Sequence, residues 1–167
     1  MKNIILIGMP GAGKSTVGVL LAKSLAYDFT DTDLIIQRQQ QMPLQEIIDR
    51  YGIDKFLADE EQALLSVSCD RTVVATGGSA VFSEKGMAHL RENGICVYLK
   101  VDEDELCRRL TNIRTRGIAC RRGETVAQII AHREAYYNKY ADVTIICEND
   151  SAESTVERII DKLGIMI

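Results

Sequence analysis

A loop that could bind phosphate follows the first apolar run of the chain. The run Ile4–Ile7 leads into Gly-Met-Pro-Gly-Ala-Gly-Lys-Ser-Thr at residues 8–16, after which apolar residues recur at helical spacing. A Gly-x-x-x-x-Gly-Lys-Ser sequence between a predicted strand and a predicted helix is typical of a phosphate-binding P-loop. Its glycines let backbone N–H groups turn towards phosphate oxygens, and the start of the helix adds partial positive charge. We therefore predict that a nucleoside triphosphate is bound by Gly11, Ala12, Gly13, Lys14, Ser15 and Thr16.

Two carboxylates near the second predicted strand could complete the chemistry of a phosphate site. Asp31-Thr32-Asp33 follows a weak β-rich run at residues 28–30. If that strand extends through residue 33, Asp31 and Asp33 point to the same side, because side chains alternate along a strand. Lys14 would contact the β- and γ-phosphates, Ser15 would bind Mg²⁺, and Asp31 would hold that ion through water. Asp33 would accept a hydrogen bond from the attacking hydroxyl. A polar turn or a helix N-cap is the alternative interpretation.

A pair of glycines follows the third predicted strand. Thr76-Gly77-Gly78-Ser79 permits close approach of a ligand to the backbone, because glycine carries no side chain. Gly77 and Gly78 could donate their N–H groups to substrate oxygens. Tight packing of this loop beneath the P-loop explains the same residues equally well.

A segment rich in arginine lies in the second half of the chain. Residues 108–122 contain six arginines and no acidic residue. In an acidic chain of this size, we interpret the segment as a mobile lid over about residues 111–123, with Gly117 and Gly123 as hinges. Closure would expel water and bring an arginine to the transferring phosphoryl group, although the spacing does not identify which one.

A single arginine on a later predicted helix has no chemical context in the sequence. Arg133 lies before Tyr136 and Tyr137. The residues alone favour a solvated position, or an ion pair with Glu134 or Asp142.

Short β-rich runs alternate with helical patterns along the whole chain, and these elements must position the motifs. The alternation predicts a parallel sheet covered by helices on both faces. Ligands of such sheets bind at the carboxyl ends of the strands, where every motif described above falls. Strands are predicted near residues 4–7, 28–30, 72–75, 95–99 and 143–146. Helices are predicted at 33–41, 44–51, 55–68, 83–93, 103–110, 126–140 and 152–163. Pro43 separates the first two of these, and Ser83 and Ser151 are candidate N-caps.

The composition is that of one globular domain. The chain has 167 residues, of which 46% are hydrophobic, and a net charge of −4, which argues against nucleic acid as the main partner. No apolar run approaches the ~20 residues needed to span a bilayer, and the first strand begins too early to leave room for a signal peptide. Five scattered cysteines suit reduced thiols in the cytoplasm. We expect a cytoplasmic monomer that acts on a small molecule.

Taken together, these residues resemble the shikimate kinase family over nearly the whole chain. The markers are residues 8–16, 31–33, 77–81, 115–116, and Arg133 with Tyr137. The resemblance implies a three-layer P-loop kinase fold across residues 1–167, with a five-stranded parallel sheet, a central P-loop strand and acceptor-binding helices at about 33–65. It also implies ATP, Mg²⁺ and phosphorylation of a ring hydroxyl of shikimate. The implied roles are shikimate hydroxyl binding for Asp33, backbone contacts to substrate for Gly77 and Gly78, phosphate contact for Arg116, a place near the adenine for Arg109, and carboxylate binding for Arg133.

The sequence departs from the family pattern in the acceptor region. Leu57 stands where the family has an arginine that also binds the carboxylate. A hydrogen bond to a charged group is worth about 1.5–3 kcal/mol, so its loss weakens binding roughly 10- to 150-fold. Lys55 is near in sequence, but its side chain should lie on a different helix face. Ser79 replaces a third glycine, and Gly117-Ile118 replaces Pro-Leu in the lid.

These departures leave three functions open. The first is phosphorylation of shikimate. The second is a kinase of the same fold with another acceptor, such as a different hydroxy acid or a polyol. The third is a nucleotide-binding regulator that has lost phosphotransfer.

Overall fold

The computed structural model describes residues 2–110, 117–148 and 151–165. Five strands form one parallel sheet in the order β2-β3-β1-β4-β5. They are β1 (Asn3–Ile7), β2 (Asp28–Asp31), β3 (Thr72–Ala75), β4 (Gly94–Val101) and β5 (Val143–Cys147). Each strand lies within two residues of its predicted position, and the strand before the P-loop is central. The predicted three-layer α/β architecture is therefore confirmed.

Eight helices flank the sheet in the described part of the chain, and the predicted helix boundaries are correct to within two residues. Two helices begin with a side-chain cap that the sequence predicts: Ser83 accepts a hydrogen bond from the Gly86 N–H, and Ser151 accepts one from the Ser154 N–H. The helices are α1 (Lys14–Leu25), α2 (Thr32–Gln40), α3 (Leu44–Tyr51), α4 (Ile53–Ser66), α5 (Glu84–Glu92), α6 (Glu103–Arg109), α7 (Val126–Tyr140) and α8 (Ala152–Leu163). A short 3-10 helix (Ala80–Phe82), which the sequence patterns did not predict, lies between β3 and α5.

The main core lies around the three central strands. All residues of β1 and β3 are buried, which agrees with sequences that are apolar after the first residue of each strand. Side chains such as Ile5, Leu6 and Val74 are completely buried, and each contributes about 1.5–3 kcal/mol relative to an exposed position. Helices α1 and α8 pack against each other, as do α4 and α5. This core holds the ends of the central strands in a fixed arrangement.

A second, smaller core joins the helices that follow β2. Ile36, Leu44, Ile47 and Phe56 bring α2, α3 and α4 together, and Ala119 from the segment before α7 completes the cluster. Pro43 forms the N-cap of α3 and separates it from α2, as the sequence predicts. The predicted acceptor-binding region at about 33–65 is therefore a packed group of three helices.

The strand order brings three chain segments to one edge of the sheet. The P-loop follows β1, β2 passes directly into α2 at residues 31–33, and the loop of residues 76–79 follows β3. The Thr76 hydroxyl donates a hydrogen bond to the Leu6 carbonyl at 2.9 Å, so the loop after β3 is attached to the end of the central strand. The candidate site is built at this edge.

The five cysteines all lie among the described residues and form no disulfide bond; Cys96 and Cys147 are buried, whereas Cys107 is exposed. In the residues that the structure describes, no helix combines the length and the apolar character that crossing a bilayer requires.

Candidate active site

A cavity of about 380 Å³ opens at the carboxyl ends of β1, β2 and β3. It brings together most of the site residues predicted from the sequence, and residues 117–119 of the predicted lid also line it. Four predicted residues are absent from its lining: Ala12, Asp31, Leu57 and Arg109. Arg116 lies outside the described residues. The predicted residues that line the cavity are Gly11, Gly13, Lys14, Ser15, Thr16, Asp33, Gly77, Gly78 and Arg133.

The P-loop holds a buried ammonium group at the floor of the cavity. Gly11 and Gly13 have φ values of 81° and 88°, which glycine adopts without strain. Lys14 is only 7% exposed, and its Nζ donates to the carbonyls of Gly8 at 2.6 Å and Met9 at 2.8 Å. Burial lowers the pKa of Lys14 to about 8, an effect that the nearby Asp33 carboxylate opposes. Lys14 therefore remains mostly charged at pH 7 and is suited to bind phosphate.

Asp31 links the P-loop to the start of α2. The Ser15 hydroxyl donates to Asp31 Oδ2 at 2.6 Å, while Asp31 Oδ1 accepts a hydrogen bond from the Asp33 N–H at 3.0 Å. The N-cap interpretation is therefore correct for Asp31, and it is compatible with a second role beside Ser15. The oxygens of Ser15 and Asp31 are the type of ligand that Mg²⁺ prefers, and they face each other at the start of α1. These two residues fit a magnesium ion that takes its other ligands from phosphate and water.

Asp33 reaches the cavity from a helix and not from a strand. Because β2 ends at Asp31 and α2 begins at Thr32, the expectation that the strand extends through residue 33 is wrong. Asp33 nevertheless lines the cavity together with Lys14. Burial, followed by the charge of Asp31, raises the pKa of Asp33 to about 6, although Lys14 opposes this shift. At pH 7 the carboxylate form predominates, so Asp33 can accept a hydrogen bond from a hydroxyl group.

The glycine loop after β3 packs closely against both the P-loop and the acidic groups. A Cβ atom on Gly78 would lie 2.5 Å from Pro10 Cδ, so the interpretation of tight packing beneath the P-loop is correct. A Cβ atom on Gly77 would lie 2.2 Å from Glu60 Oε1 and 2.8 Å from Asp33 Oδ1. The Gly77 N–H already donates to Thr32 Oγ1 at 3.3 Å. The N–H of Gly78 has no partner among the described residues and is available to a ligand.

Arg133 is a buried cation and not a surface residue. Its side chain is 2% exposed and donates to the Ala119 carbonyl, and its guanidinium lies 5.4 Å from the centre of the Phe82 ring. The sequence-based choice of a solvated position is therefore wrong. The suggested ion-pair partners are used elsewhere, since Glu134 pairs with Lys100 and Asp142 pairs with Arg91. A buried guanidinium that lines a cavity is suited to bind an anionic group of a ligand.

The sequence analysis missed Glu60, which lines the same cavity. Glu60 lies on α4, is 1% exposed, and accepts a hydrogen bond from Ser79 Oγ at 2.5 Å through Oε2. Its Oε1 has no hydrogen-bond partner in the described part of the chain. Burial raises the pKa of Glu60 to about 7. A signal was present, because Glu60 falls at helical spacing between the apolar residues Phe56, Ala63 and Leu64, where an acid is unusual.

A family model described as shikimate kinase matches residues 10–164. This chain belongs to the shikimate kinase family. It is 34% identical to shikimate kinase 2 of Yersinia pestis (strain Pestoides F), over 97% of this chain and 95% of that protein. A solved shikimate kinase from Acinetobacter baumannii, in complex with shikimate, superposes with a TM-score of 0.90 at 28% identity, covering 98% of this chain and 93% of that one. A shikimate kinase from Aquifex aeolicus gives a TM-score of 0.84 at 27% identity, with 97% and 96% covered.

Leu57, one departure from the shikimate kinase pattern, lines a second cavity. Leu57 lines a space of about 230 Å³ beside the main cavity, and the two cavities share Glu60 and Ser79. Lys55, the nearby alternative cation, lies on a different face of α4, as expected, and pairs with the buried Asp59. The position where the family has an arginine therefore holds an apolar side chain next to a buried acid.

Another departure lies where the predicted lid meets α3. Gly117 has a φ of 65°, whereas proline, which the shikimate kinase family has here, holds φ near −65°. The Gly117 N–H donates to Gln45 Oε1 at 3.2 Å, and a Cβ on Gly117 would lie 2.3 Å from Leu44 Cβ. Gly123, the other predicted hinge, also has a positive φ of 89°. This end of the predicted lid therefore packs closely against α3.

Arg109 lies against the outer side of the P-loop. Its Nη1 donates to the Gly11 carbonyl at 3.1 Å, and its Nε donates to Glu105 Oε1 at 2.6 Å. This position is at the end of α6, beside the glycines that would bind phosphate. A contact with the adenine remains a prediction.

Proposed function

We propose that this protein phosphorylates a hydroxyl group of shikimate with ATP as the phosphate donor. The observation that carries this function is that one cavity joins the P-loop ammonium of Lys14, the Asp33 carboxylate and the buried guanidinium of Arg133. These groups match a triphosphate, a hydroxyl and a carboxylate, respectively. Family membership and a relative solved with shikimate support the same acceptor.

The reaction joins an acceptor oxygen to the terminal phosphate. The hydroxyl oxygen forms a bond to the γ-phosphorus, the bond from that phosphorus to the bridging oxygen breaks, and ADP leaves. Asp33 orients the hydroxyl and takes its proton, while Lys14 neutralises the phosphate oxygens. Gly11, Ala12, Gly13 and Thr16 form the rest of the phosphate loop. Ser15 and Asp31 would hold Mg²⁺, which, when bound, supplies further charge neutralisation at the phosphates.

The acceptor is positioned by groups on α2, on α7 and in the loop after β3. Asp33 binds the reacting hydroxyl, Arg133 binds the carboxylate, and Gly78 offers a free backbone N–H. Gly77 contributes by leaving space between two carboxyl groups. Leu57 contributes no charge, which favours, as a second candidate, a kinase of this family whose acceptor is another hydroxy acid or a polyol.

Several further assignments belong to the same proposal. Residues 1–167 form one domain whose lid spans about 111–123 and whose acceptor-binding helices span about 33–65. In it, Arg116 contacts the transferring phosphoryl group and Arg109 lies near the adenine. Ile118 and Ala119 belong to the proposed lid and line the cavity, which supports this arrangement. The protein works as a cytoplasmic monomer, without nucleic-acid or membrane partners.

The test is ATP consumption with shikimate, compared with a panel of polyols, other hydroxy acids and nucleoside monophosphates. We expect saturable formation of ADP and a phosphate ester with shikimate, and loss of turnover in Asp33→Asn. Asp28→Asn is the matched control, because Asp28 is an exposed acid at the amino end of β2, away from the carboxyl ends where the cavity opens, and it should leave turnover unchanged. Efficient turnover of another acceptor, with none of shikimate, would favour the second candidate. ATP binding without transfer to any acceptor would favour a regulator.

A further inference from the structure

Glu60 is an acid buried beside the acceptor site without a cation to neutralise it. It lines the same cavity as Lys14, Asp33 and Arg133. Yet no lysine or arginine nitrogen in the described part of the chain lies within ion-pair distance of its carboxyl group. An isolated buried carboxylate is so costly that such groups take up a proton instead. The geometry therefore favours an uncharged Glu60.

The carboxyl group of Glu60 also supports the loop that faces the acceptor. Oε2 accepts the hydrogen bond of the Ser79 hydroxyl, which is itself buried. Oε1 lies so close to Gly77 that even a methyl group there would collide with it, and Asp33 Oδ1 closes the same space from the other side. Glu60 thus sets where residues 77–79 lie relative to Asp33 and Arg133.

The charges around Glu60 come from three elements. Asp33 on α2 raises the pKa of Glu60, while Arg133 on α7 and Lys14 at the start of α1 lower it. The other acids of α4 are engaged elsewhere, since Asp59 pairs with Lys55 and Glu61 accepts a hydrogen bond from Ser83. Helices α3 and α5 also pack on α4, but no charged group on them acts on Glu60 among the described residues. Burial is the largest influence, and the cations only partly offset it.

We propose that Glu60 is a positioning residue that is protonated while an anionic acceptor is bound, so that the fraction of Glu60 that is ionised in the free protein takes up a proton when the acceptor binds. This inference rests on the proposed function, because it takes the acceptor carboxylate to lie at Arg133. When the acceptor carboxylate pairs with Arg133, the guanidinium no longer stabilises the ionised form of Glu60. A second negative charge in the same cavity would then repel the acceptor.

Leu57 explains why the coupling belongs to this chain in particular. Its side chain lines the adjoining cavity with Glu60 and Ser79, and it brings neither charge nor hydrogen-bond donor to the acid. The Ser79 hydroxyl is therefore the donor on which Glu60 depends. A hydroxyl can bond to a protonated or an ionised carboxyl group, so it supports Glu60 in either state without fixing its charge.

The first experiment measures the charge of Glu60 in the free protein. Carboxyl-carbon NMR of protein labelled in glutamate follows each acid as the pH changes, and the spectrum of Glu60→Gln identifies the Glu60 signal. We expect Glu60 to titrate near pH 7, well above the other glutamates. Titration of Glu60 near pH 4.5 would overturn the proposal, whatever the acceptor is.

The second experiment measures the coupling. Calorimetric titration of shikimate at pH 7.5, in buffers of different ionisation enthalpy, should show uptake of most of one proton by the wild type and almost none by Glu60→Gln. The KM for shikimate should rise roughly tenfold from pH 7 to pH 8.5 in the wild type, with little change in kcat, and should stay flat in Glu60→Gln. Glu61→Gln is the matched control, because it changes the neighbouring acid on α4, and it should retain the wild-type profile.

The outcomes separate this inference from the proposed function. Proton uptake that persists in Glu60→Gln, or a wild-type KM that does not change with pH, would refute the coupling even though shikimate is phosphorylated. A wild-type protein that neither binds nor phosphorylates shikimate would instead contradict the proposed function. In that case the NMR titration still decides whether Glu60 is uncharged.

Discussion

Replacement of Arg133 by methionine tests the acceptor site most directly. Methionine keeps an unbranched side chain of similar length but removes the only guanidinium among the described residues that line the cavity. Hydrogen bonds from a charged group are worth about 1.5–3 kcal/mol, so the KM for shikimate should rise roughly 10- to 150-fold. The effect on kcat should be smaller, because Arg133 binds the carboxylate and not the hydroxyl that reacts. Initial rates of ADP release at varied shikimate concentration measure both parameters.

The stability of Arg133→Met provides a second, independent test of the role of Arg133. Burial of a cation without an ion pair costs several kcal/mol. The contacts with the Ala119 carbonyl and the Phe82 ring return about 2–5 kcal/mol together. The two contributions nearly balance, so the free energy of unfolding should change by less than about 2 kcal/mol, as measured by urea denaturation.

The opposite pattern would refute the reasoning. If Arg133→Met lost several kcal/mol of stability while its KM for shikimate stayed at the wild-type value, Arg133 would be a structural residue. Arg91→Met is the matched control, because Arg91 is an exposed arginine whose partner is Asp142, away from the cavity. It should change neither the KM nor, by more than about 1 kcal/mol, the stability.

Three further predictions follow from the contacts of Glu60. Gly77→Ala should raise the KM for shikimate at least about tenfold and cost about 1–3 kcal/mol of stability, because the added methyl group meets Glu60 Oε1. Unchanged ADP binding in the same variant would show that the P-loop is intact. An unchanged KM would contradict the close packing of Gly77 against Glu60. Leu57→Arg should lower the KM for shikimate roughly tenfold and abolish the increase of the KM above pH 7, since a guanidinium in the second cavity would reach both Glu60 and the acceptor. A KM of this variant that still depends on pH would contradict the prediction. Burial raises the pKa of Glu60 from 4.5 to about 7, so its favourable contribution to stability is complete below pH 4.5 and is lost as the pH rises through 7. In urea denaturation, Glu60→Gln should therefore be more stable than the wild type by up to about 3 kcal/mol at pH 8 and by little at pH 4.5. Equal differences at the two pH values would refute this prediction.

The elements of the fold could be predicted because their signals are local. The apolar run before the P-loop, the alternation of strands and helices, and caps such as Ser83 and Ser151 depend on neighbouring residues only. The strand order that places β1 at the centre of the sheet depends on contacts between distant segments. It was available only through the resemblance to a family with that order.

The site was predicted less completely, for reasons that differ between residues. Lys14 and Ser15 belong to a motif whose geometry is contained in the loop itself, so their positions followed from the sequence. The position of Asp33 was expected for the wrong reason, because Asp31 caps α2 and ends the strand two residues earlier. Arg133 and Glu60 were misjudged or missed, since burial of a charged residue is decided by the helices and loops that pack over it.

The charges of the acceptor cavity connect these predictions. Among the described residues that line it, Lys14 and Arg133 are cations, Asp33 is an anion at pH 7, and Glu60 is neutral in its protonated form. With Glu60 protonated, the cavity carries one net positive charge, which matches an acceptor with one carboxylate. Ionisation of Glu60 would cancel that charge and remove the long-range attraction for the acceptor, although every contact residue would still be present. The proton on Glu60 thus favours acceptor binding as a second cation would, and it does so beside Leu57, which carries no charge.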